Sequence, residues 1–149
     1  MYEIKIVRSV LNDGQQEFKV TSCKDVVNYI ESFCMPKEDQ WREQAWVLAV
    51  NGGNRITGHF LLSVGGTNST TFDKKVVAKF ALDYLAEAVI LVHNHPSGNP
   101  TPSRKDIEET LNLRNALRVF DIKLLDHIII GDGSYYSFSS EKTESIDNA

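Results

Sequence analysis

Cysteine is scarce in this chain: Cys23 and Cys34 are the only two in 149 residues, which excludes a disulfide framework. They sit near the start and end of one helical pattern, about a helix length apart. A disulfide needs Cα atoms within roughly 7 Å, so the pair cannot be bridged. Neither has C-x-x-C metal spacing, and both are read as free thiols or packing residues. No apolar run approaches the ~20 residues of a membrane span, and Met1-Tyr2-Glu3-Ile4-Lys5 has no signal-peptide profile. The expected compartment is therefore the cytoplasm, with no membrane partner. Positive charge is also short, with 16 Lys and Arg against 20 Asp and Glu and a formal net charge of −4. Nucleic-acid binding relies on clustered cations that displace phosphate counterions. Here Arg114 and Arg118, with Arg104 and Lys105, make only a modest patch, read as a solvated helix face. Internal repeats and low-complexity tracts are absent. Gly65-Gly66-Thr67-Asn68-Ser69-Thr70-Thr71 is glycine-rich but lacks a Walker lysine and does not open directly into a helix, so it is read as a flexible polar loop. At 42% hydrophobic and 24% charged, the chain has the makings of a single globular domain with one real core.

Chemistry is concentrated in His93-Asn94-His95-Pro96-Ser97-Gly98-Asn99-Pro100-Thr101-Pro102-Ser103-Arg104-Lys105-Asp106. The apolar run Ala88-Val89-Ile90-Leu91-Val92 before it reads as a fully buried strand. Side chains at i and i+2 of a strand share a side, so His93 and His95 can converge on one ion if the chain stays extended through His95. Pro96 favours this, because the residue before a proline is pushed out of the α region. After a Pro/Gly turn, the pattern Ile107, Leu111, Leu113, Leu117 reads as an amphipathic helix with Ser103 as N-cap and Asp106 at N3. S-x-x-D is also close to a capping box, which by itself accounts for both residues. The two roles are compatible, since a capping serine fixes the turn that presents Asp106. Two histidines and one aspartate make an open zinc site with a fourth position for water, so the string points to a metal-dependent hydrolase.

The rest of the chain is consistent with an α/β arrangement. Ile4-Lys5-Ile6-Val7 and Phe18-Lys19-Val20 read as short strands or an N-terminal arm. Thr21-Ser22 precede a helix carrying Val26, Val27, Ile30 and Phe33 that stops before Pro36. Strands 44–50 and 55–64 are joined by Asn51-Gly52-Gly53-Asn54, a hairpin signal. His59 is expected to alternate outward from the second of these strands. Val76, Val77, Phe80, Ala81, Tyr84 and Leu85 form a helical stripe assigned to the core. Strands 122–130 and 134–139 flank the Gly131-Asp132-Gly133 turn, and His127 is expected to play a structural or supporting role and not to be a ligand. The predicted fold is a three-layer α/β/α sandwich around one mixed sheet. The predicted boundaries are an arm at 1–20, a domain at 21–139 and a flexible acidic tail at 140–149.

H-x-H, seven residues, S, two residues, D, here His93, His95, Ser103 and Asp106, resembles the signature of the JAMM (JAB/MPN) metalloproteases. The string HNHPSGNPTPS, with LLDHIIIGDGSYYSF downstream, is similar to the RadC branch, in the short form without its N-terminal helix-hairpin-helix region. The likeness runs from about Thr21 to Ser139. It implies Zn²⁺ held by His93, His95 and Asp106, with Ser103 as hydrogen-bond donor to the oxyanion. It also implies an upstream glutamate as general base, for which Glu43 is the candidate and Glu38 lies too far before the strand. The segment after strand 55–64 is expected to lie near the site. The implied activity is hydrolysis of a peptide or isopeptide amide in a protein or peptide substrate. Alternatives are a DNA-repair-associated role, from the historical label of RadC proteins, or a non-catalytic zinc-containing interaction module. An HNH nuclease is set aside, because those letters name dispersed residues of a ββα site. A zinc deaminase is set aside because H-x-E and P-C-x-x-C are missing.

Overall fold

The computed structural model describes residues 18–65 and 72–146. The arm strand at residues 4–7 and most of the loop after residue 65 lie outside them. Nine principal elements follow in order: α1 (Cys23–Phe33), β1 (Gln44–Val50), β2 (Ile56–Val64), α2 (Lys74–Asp83), β3 (Ala88–Asn94), α3 (Arg104–Arg118), β4 (Lys123–Ile130), β5 (Ser134–Ser137) and β6 (Lys142–Ser145). The six strands form one sheet in the order β2-β1-β3-β4-β5-β6. β3 and β4 pair in parallel and the other neighbours are antiparallel. A parallel pair cannot be closed by a tight turn, and α3 supplies the crossover.

The unbroken apolar run of β3 follows from burial on both faces. Ile90 and Val92 pack with Leu48, Ile128 and Ile130 under Val26, Val27 and Ile30 of α1. Val89 and Leu91 pack on the opposite face with Val77 and Phe80 of α2 and Leu113 and Leu117 of α3. The result is the three-layer α/β/α sandwich with a mixed sheet. Because His93 shares the parity of Val89 and Leu91, it faces the α2/α3 layer.

One irregularity decides which residue of β4 reaches that layer. Val89 pairs with Leu124 but Ile90 pairs with Asp126, so Leu125 is an extra residue in the ladder. Such a bulge reverses the side-chain alternation beyond it. Leu124 and His127 therefore both face α2 and α3, whereas Asp126 faces α1. There Asp126 accepts hydrogen bonds from Ser137 Oγ at 2.6 Å, the Ser139 amide at 3.0 Å and Cys23 Sγ at 3.5 Å.

Four expectations are corrected. His59 does not point to solvent. It is buried beneath α1, with Nδ1 2.7 Å from the Tyr29 hydroxyl and its ring edge-on to Trp46, and burial lowers its pKa. Leu85 is not core: it is 86% exposed. It takes a left-handed φ of 48° at the end of α2, where the Ala86 amide donates to Ala81 O in a Schellman-type closure. Of the expected α3 stripe, Leu113 and Leu117 are buried, but Ile107 and Leu111 are exposed and Thr110 takes their place on the buried side. Finally, the acidic tail is not frayed throughout. Residues 142–145 add an edge strand to β5, made possible by a left-handed Glu141 and anchored by buried Ile146, whose amide donates to Gly133 O at 2.9 Å. The apolar anchor follows the polar run, so composition alone hides it.

Candidate metal centre

The centre lies at the C-terminal end of β3. Beyond Asn94 the His95 amide still donates to Ile130 O at 2.9 Å, so the β3–β4 ladder continues far enough to keep His93 and His95 on one side. The turn that follows is held by Gly98 N to His95 O at 2.9 Å and by Asp132 N to Gly98 O at 2.8 Å. Gly98 has φ 90°. A Cβ at Gly131 would collide with the Gly98 carbonyl oxygen, so the turn rests directly on bare backbone. This seat also fixes His95, whose Nδ1 lies 2.9 Å from the Asn99 carbonyl. A carbonyl only accepts, so Nδ1 donates and Nε2 is the nitrogen turned to the site.

The start of α3 supplies the acid. Ser103 and Asp106 form a reciprocal capping box: Asp106 N donates to Ser103 Oγ at 3.1 Å, and Ser103 N donates to Asp106 Oδ2 at 2.8 Å. This clamp aims the carboxylate back over the helix start. Its Oδ1 lies 3.4 Å from His93 Nε2 and its Oδ2 lies 3.2 Å from His95 Nε2, while the two Nε2 atoms are 3.1 Å apart. Three donors from a strand, its extension and a helix N-terminus thus converge. Burial would raise the Asp106 carboxyl, but the His93 and His95 imidazoles beside it outweigh burial and hold it well below the usual carboxylate range. The same contact with Asp106 raises His95. Protons and a divalent cation therefore compete for the same nitrogen.

Glu43, the residue just before β1, is buried, with a carboxylate oxygen within 4.8 Å of a ligand nitrogen on each of the two histidines. Two carboxylates could complete a histidine pair, and distance separates them. Asp106 lies 3.2 to 3.4 Å from the two imidazoles and is locked by its capping box, whereas Glu43 lies within 4.8 Å of both. The donor set fits zinc: two imidazole nitrogens and one carboxylate leave an open position, as catalytic sites require. Ser103, the N-cap of α3, is exposed.

Residues 20–143 match the RadC-like JAB domain. The chain belongs to that family. It is 41% identical over 130 residues to a UPF0758 protein of Staphylococcus carnosus, covering 87% of this chain and 56% of the relative. A UPF0758 protein of Caldanaerobacter subterraneus is 38% identical over 140 residues, covering 88% and 58%. One from Trichlorobacter lovleyi is 46% identical over 100 residues, covering 67% and 44%. This RadC-like chain therefore spans about half the length of the curated relatives it matches.

Sequence reasoning missed Asn94. Lying between the two histidines, it is 1% exposed and tethers the segment that carries Glu43. Its Nδ2 donates to Gln40 O at 2.9 Å and to Arg42 O at 2.8 Å, and its Oδ1 accepts from the Gln44 amide at 2.8 Å. One side chain thus ties the H-x-H strand to both residues flanking Glu43. The available signal was a polar side chain in a strand buried on both faces, which must be hydrogen-bonded. Asn94→Ala should lower the unfolding free energy by about 3 kcal/mol, because it strands buried backbone groups. Chemical denaturation measures this, and a loss under about 1 kcal/mol would contradict the tether.

Proposed function

We propose that this RadC-like JAB domain is a zinc-dependent hydrolase of peptide or isopeptide amides. The observation that carries the reading is the convergence of His93 Nε2, His95 Nε2 and Asp106 within 3.1 to 3.4 Å, with buried Glu43 within 4.8 Å of both imidazoles. His93, His95 and Asp106 would hold the ion. Zinc bound there would supply Lewis acidity, able to lower the pKa of a water from ~16 towards ~7. Glu43 takes the proton of the attacking water and returns it to the leaving amine, acting as general base and then acid. Low exposure suits this role, since few solvent molecules compete for the proton. The Ser103 oxygen already accepts from Asp106 N, which leaves its hydroxyl hydrogen able to donate to the oxyanion. One such donor is worth on the order of 3 kcal/mol in the barrier. The substrate class proposed is a protein or peptide.

Charge placement favours a protein substrate over nucleic acid. Arg104 and Lys105 open the 15-residue helix α3 and Arg118 closes it, which at 1.5 Å per residue separates them by about 20 Å. Arg114, Arg118 and Lys123 instead line a cleft with Asp121 at the end of α3 far from Asp106. No helix among the described residues is long and apolar enough to cross a membrane.

The test is zinc content of the purified protein, followed by chelator-sensitive cleavage of isopeptide-linked and generic peptide libraries. Stoichiometric zinc with chelator-sensitive cleavage supports the reading. Zinc without turnover on any amide would favour an interaction module, and salt-dependent DNA retardation would move the function towards nucleic acid.

A further inference from the structure

We propose that Thr110 and His127 are positioning residues that lock His93 in its Nδ1–H tautomer, leaving Nε2 as the bare lone pair that faces His95 and Asp106. The consequence for metal affinity rests on the zinc reading above, but the proton arrangement does not.

The order of donors follows from one hydroxyl. Thr110 Oγ1 lies 2.5 Å from the backbone carbonyl oxygen of Asp106, one turn earlier in α3. Two oxygens at that distance without a hydrogen between them would repel, so the single Thr110 hydrogen is directed to that carbonyl, the familiar i−4 back-bond of helical threonine. His127 Nδ1 lies 2.6 Å from the same hydroxyl oxygen. With its hydrogen already committed, the hydroxyl can only accept there, so His127 Nδ1 carries the proton. His127 Nε2 is 2.6 Å from His93 Nδ1. In a neutral His127 it is a bare acceptor, and His93 Nδ1 must donate. His93 then presents an unprotonated Nε2, 3.1 Å from His95 Nε2 and 3.4 Å from Asp106 Oδ1. The chain of bonds begins at the Asp106 carbonyl and ends opposite the Asp106 carboxylate.

The surroundings fix the relay. His127 is 2% exposed and its ring stacks on Phe138 at 4.7 Å with 6° between planes, so it cannot swing away. The Leu125 bulge delivers it to this face, and the spacing of 106, 110, 113 and 117 places Thr110 on the buried side of α3 beside Asp106. Metal-binding histidines usually donate their second nitrogen to a carboxylate, a carbonyl or water. His95 does so through the Asn99 carbonyl. The acceptor for His93 is another imidazole, which could equally act as donor, and Thr110 is the group that removes this ambiguity.

Thr110→Val keeps the shape and removes the hydroxyl. His127 Nδ1–H then has no acceptor, and its proton is better placed on Nε2, donating to His93 Nδ1 and forcing the His93 proton onto Nε2 in front of the incoming ion. Two measurements test this. In metal-free protein at about pH 9, where an ordinary imidazole of pKa about 6.5 is neutral, long-range ¹H–¹⁵N spectra should report His93 as Nδ1–H in wild type and Thr110→Ser, and as Nε2–H in Thr110→Val. Zn²⁺ affinity by chelator competition should fall about 10–100-fold in Thr110→Val and recover in Thr110→Ser. His127→Phe, which keeps the stacking and removes the acceptor, should also weaken Zn²⁺. An Nε2–H pattern for His93 in wild type, or wild-type Zn²⁺ affinity in folded Thr110→Val, would overturn the lock. If wild type bound no Zn²⁺, the zinc reading would fall, and the spectra alone would still decide the tautomer.

Discussion

Glu43→Gln should leave zinc bound and lower amide turnover by about 10²–10⁴-fold, the range for loss of a general base. A 10³-fold loss is about 4 kcal/mol of barrier. The substitution is nearly isosteric and keeps hydrogen-bonding capacity, so the buried segment before β1 should hold its place: Gly65 N still donates to the backbone oxygen of residue 43 at 2.8 Å, and Asn94 still binds on either side. What is lost is the carboxylate as proton acceptor. The alternative geometry, with Glu43 as a direct ligand beside His93 and His95, makes a different forecast. Glu43→Gln would then lower zinc occupancy together with activity. Elemental analysis of the variant beside its turnover number separates the two, and loss of zinc would reassign Glu43 from base to ligand.

The elements that frame the centre were legible because they obey local rules. An apolar run followed by H-x-H before a proline describes β3 and its extension, and S-x-x-D before a periodic stretch describes the start of α3. Each depends on residues a few positions apart. The parts that were not legible depend on long-range pairing. His59 looked solvent-facing because alternation along β2 says nothing of α1 packing over that side, where Tyr29 waits. No count of two along β4 places Leu124 and His127 on the same face, because the Leu125 bulge is visible only against its partner β3.

Helix α3 shows the same limit from another side. Hydrophobicity alone selected Ile107 and Leu111 together with Leu113 and Leu117, yet the first two are exposed. The buried side contains a carboxylate and a hydroxyl, Asp106 and Thr110, above Leu113 and Leu117. At a functional site the inward face of a helix is partly polar, and a stripe drawn through apolar residues misses it. The resemblance to JAMM proteins covered Glu43, His93, His95, Ser103 and Asp106, but neither Asn94 nor Thr110. Those two act through other residues and are visible only once their hydrogen bonds are.

Asp106→Ala should remove both zinc and activity, and Asp106→Asn shows which of two roles is responsible. The Asp106 carboxylate caps α3 through Ser103 N and also faces both imidazoles. Alanine ends both roles, so it should lose a further stability increment of about 1 kcal/mol from the broken helix start. Asparagine keeps a carbonyl oxygen that can accept from Ser103 N, but it carries no charge and binds zinc poorly. Helix stability should thus stay near wild type in Asp106→Asn, while zinc affinity falls by more than the about 10–100-fold that outer-shell losses cost. Chelator competition measures the second quantity and chemical denaturation of the metal-free proteins the first. The two imidazoles that remain cannot fill a three-ligand catalytic site. Stoichiometric zinc retained by either variant would remove Asp106 from the ligand set and leave it as a helix cap alone.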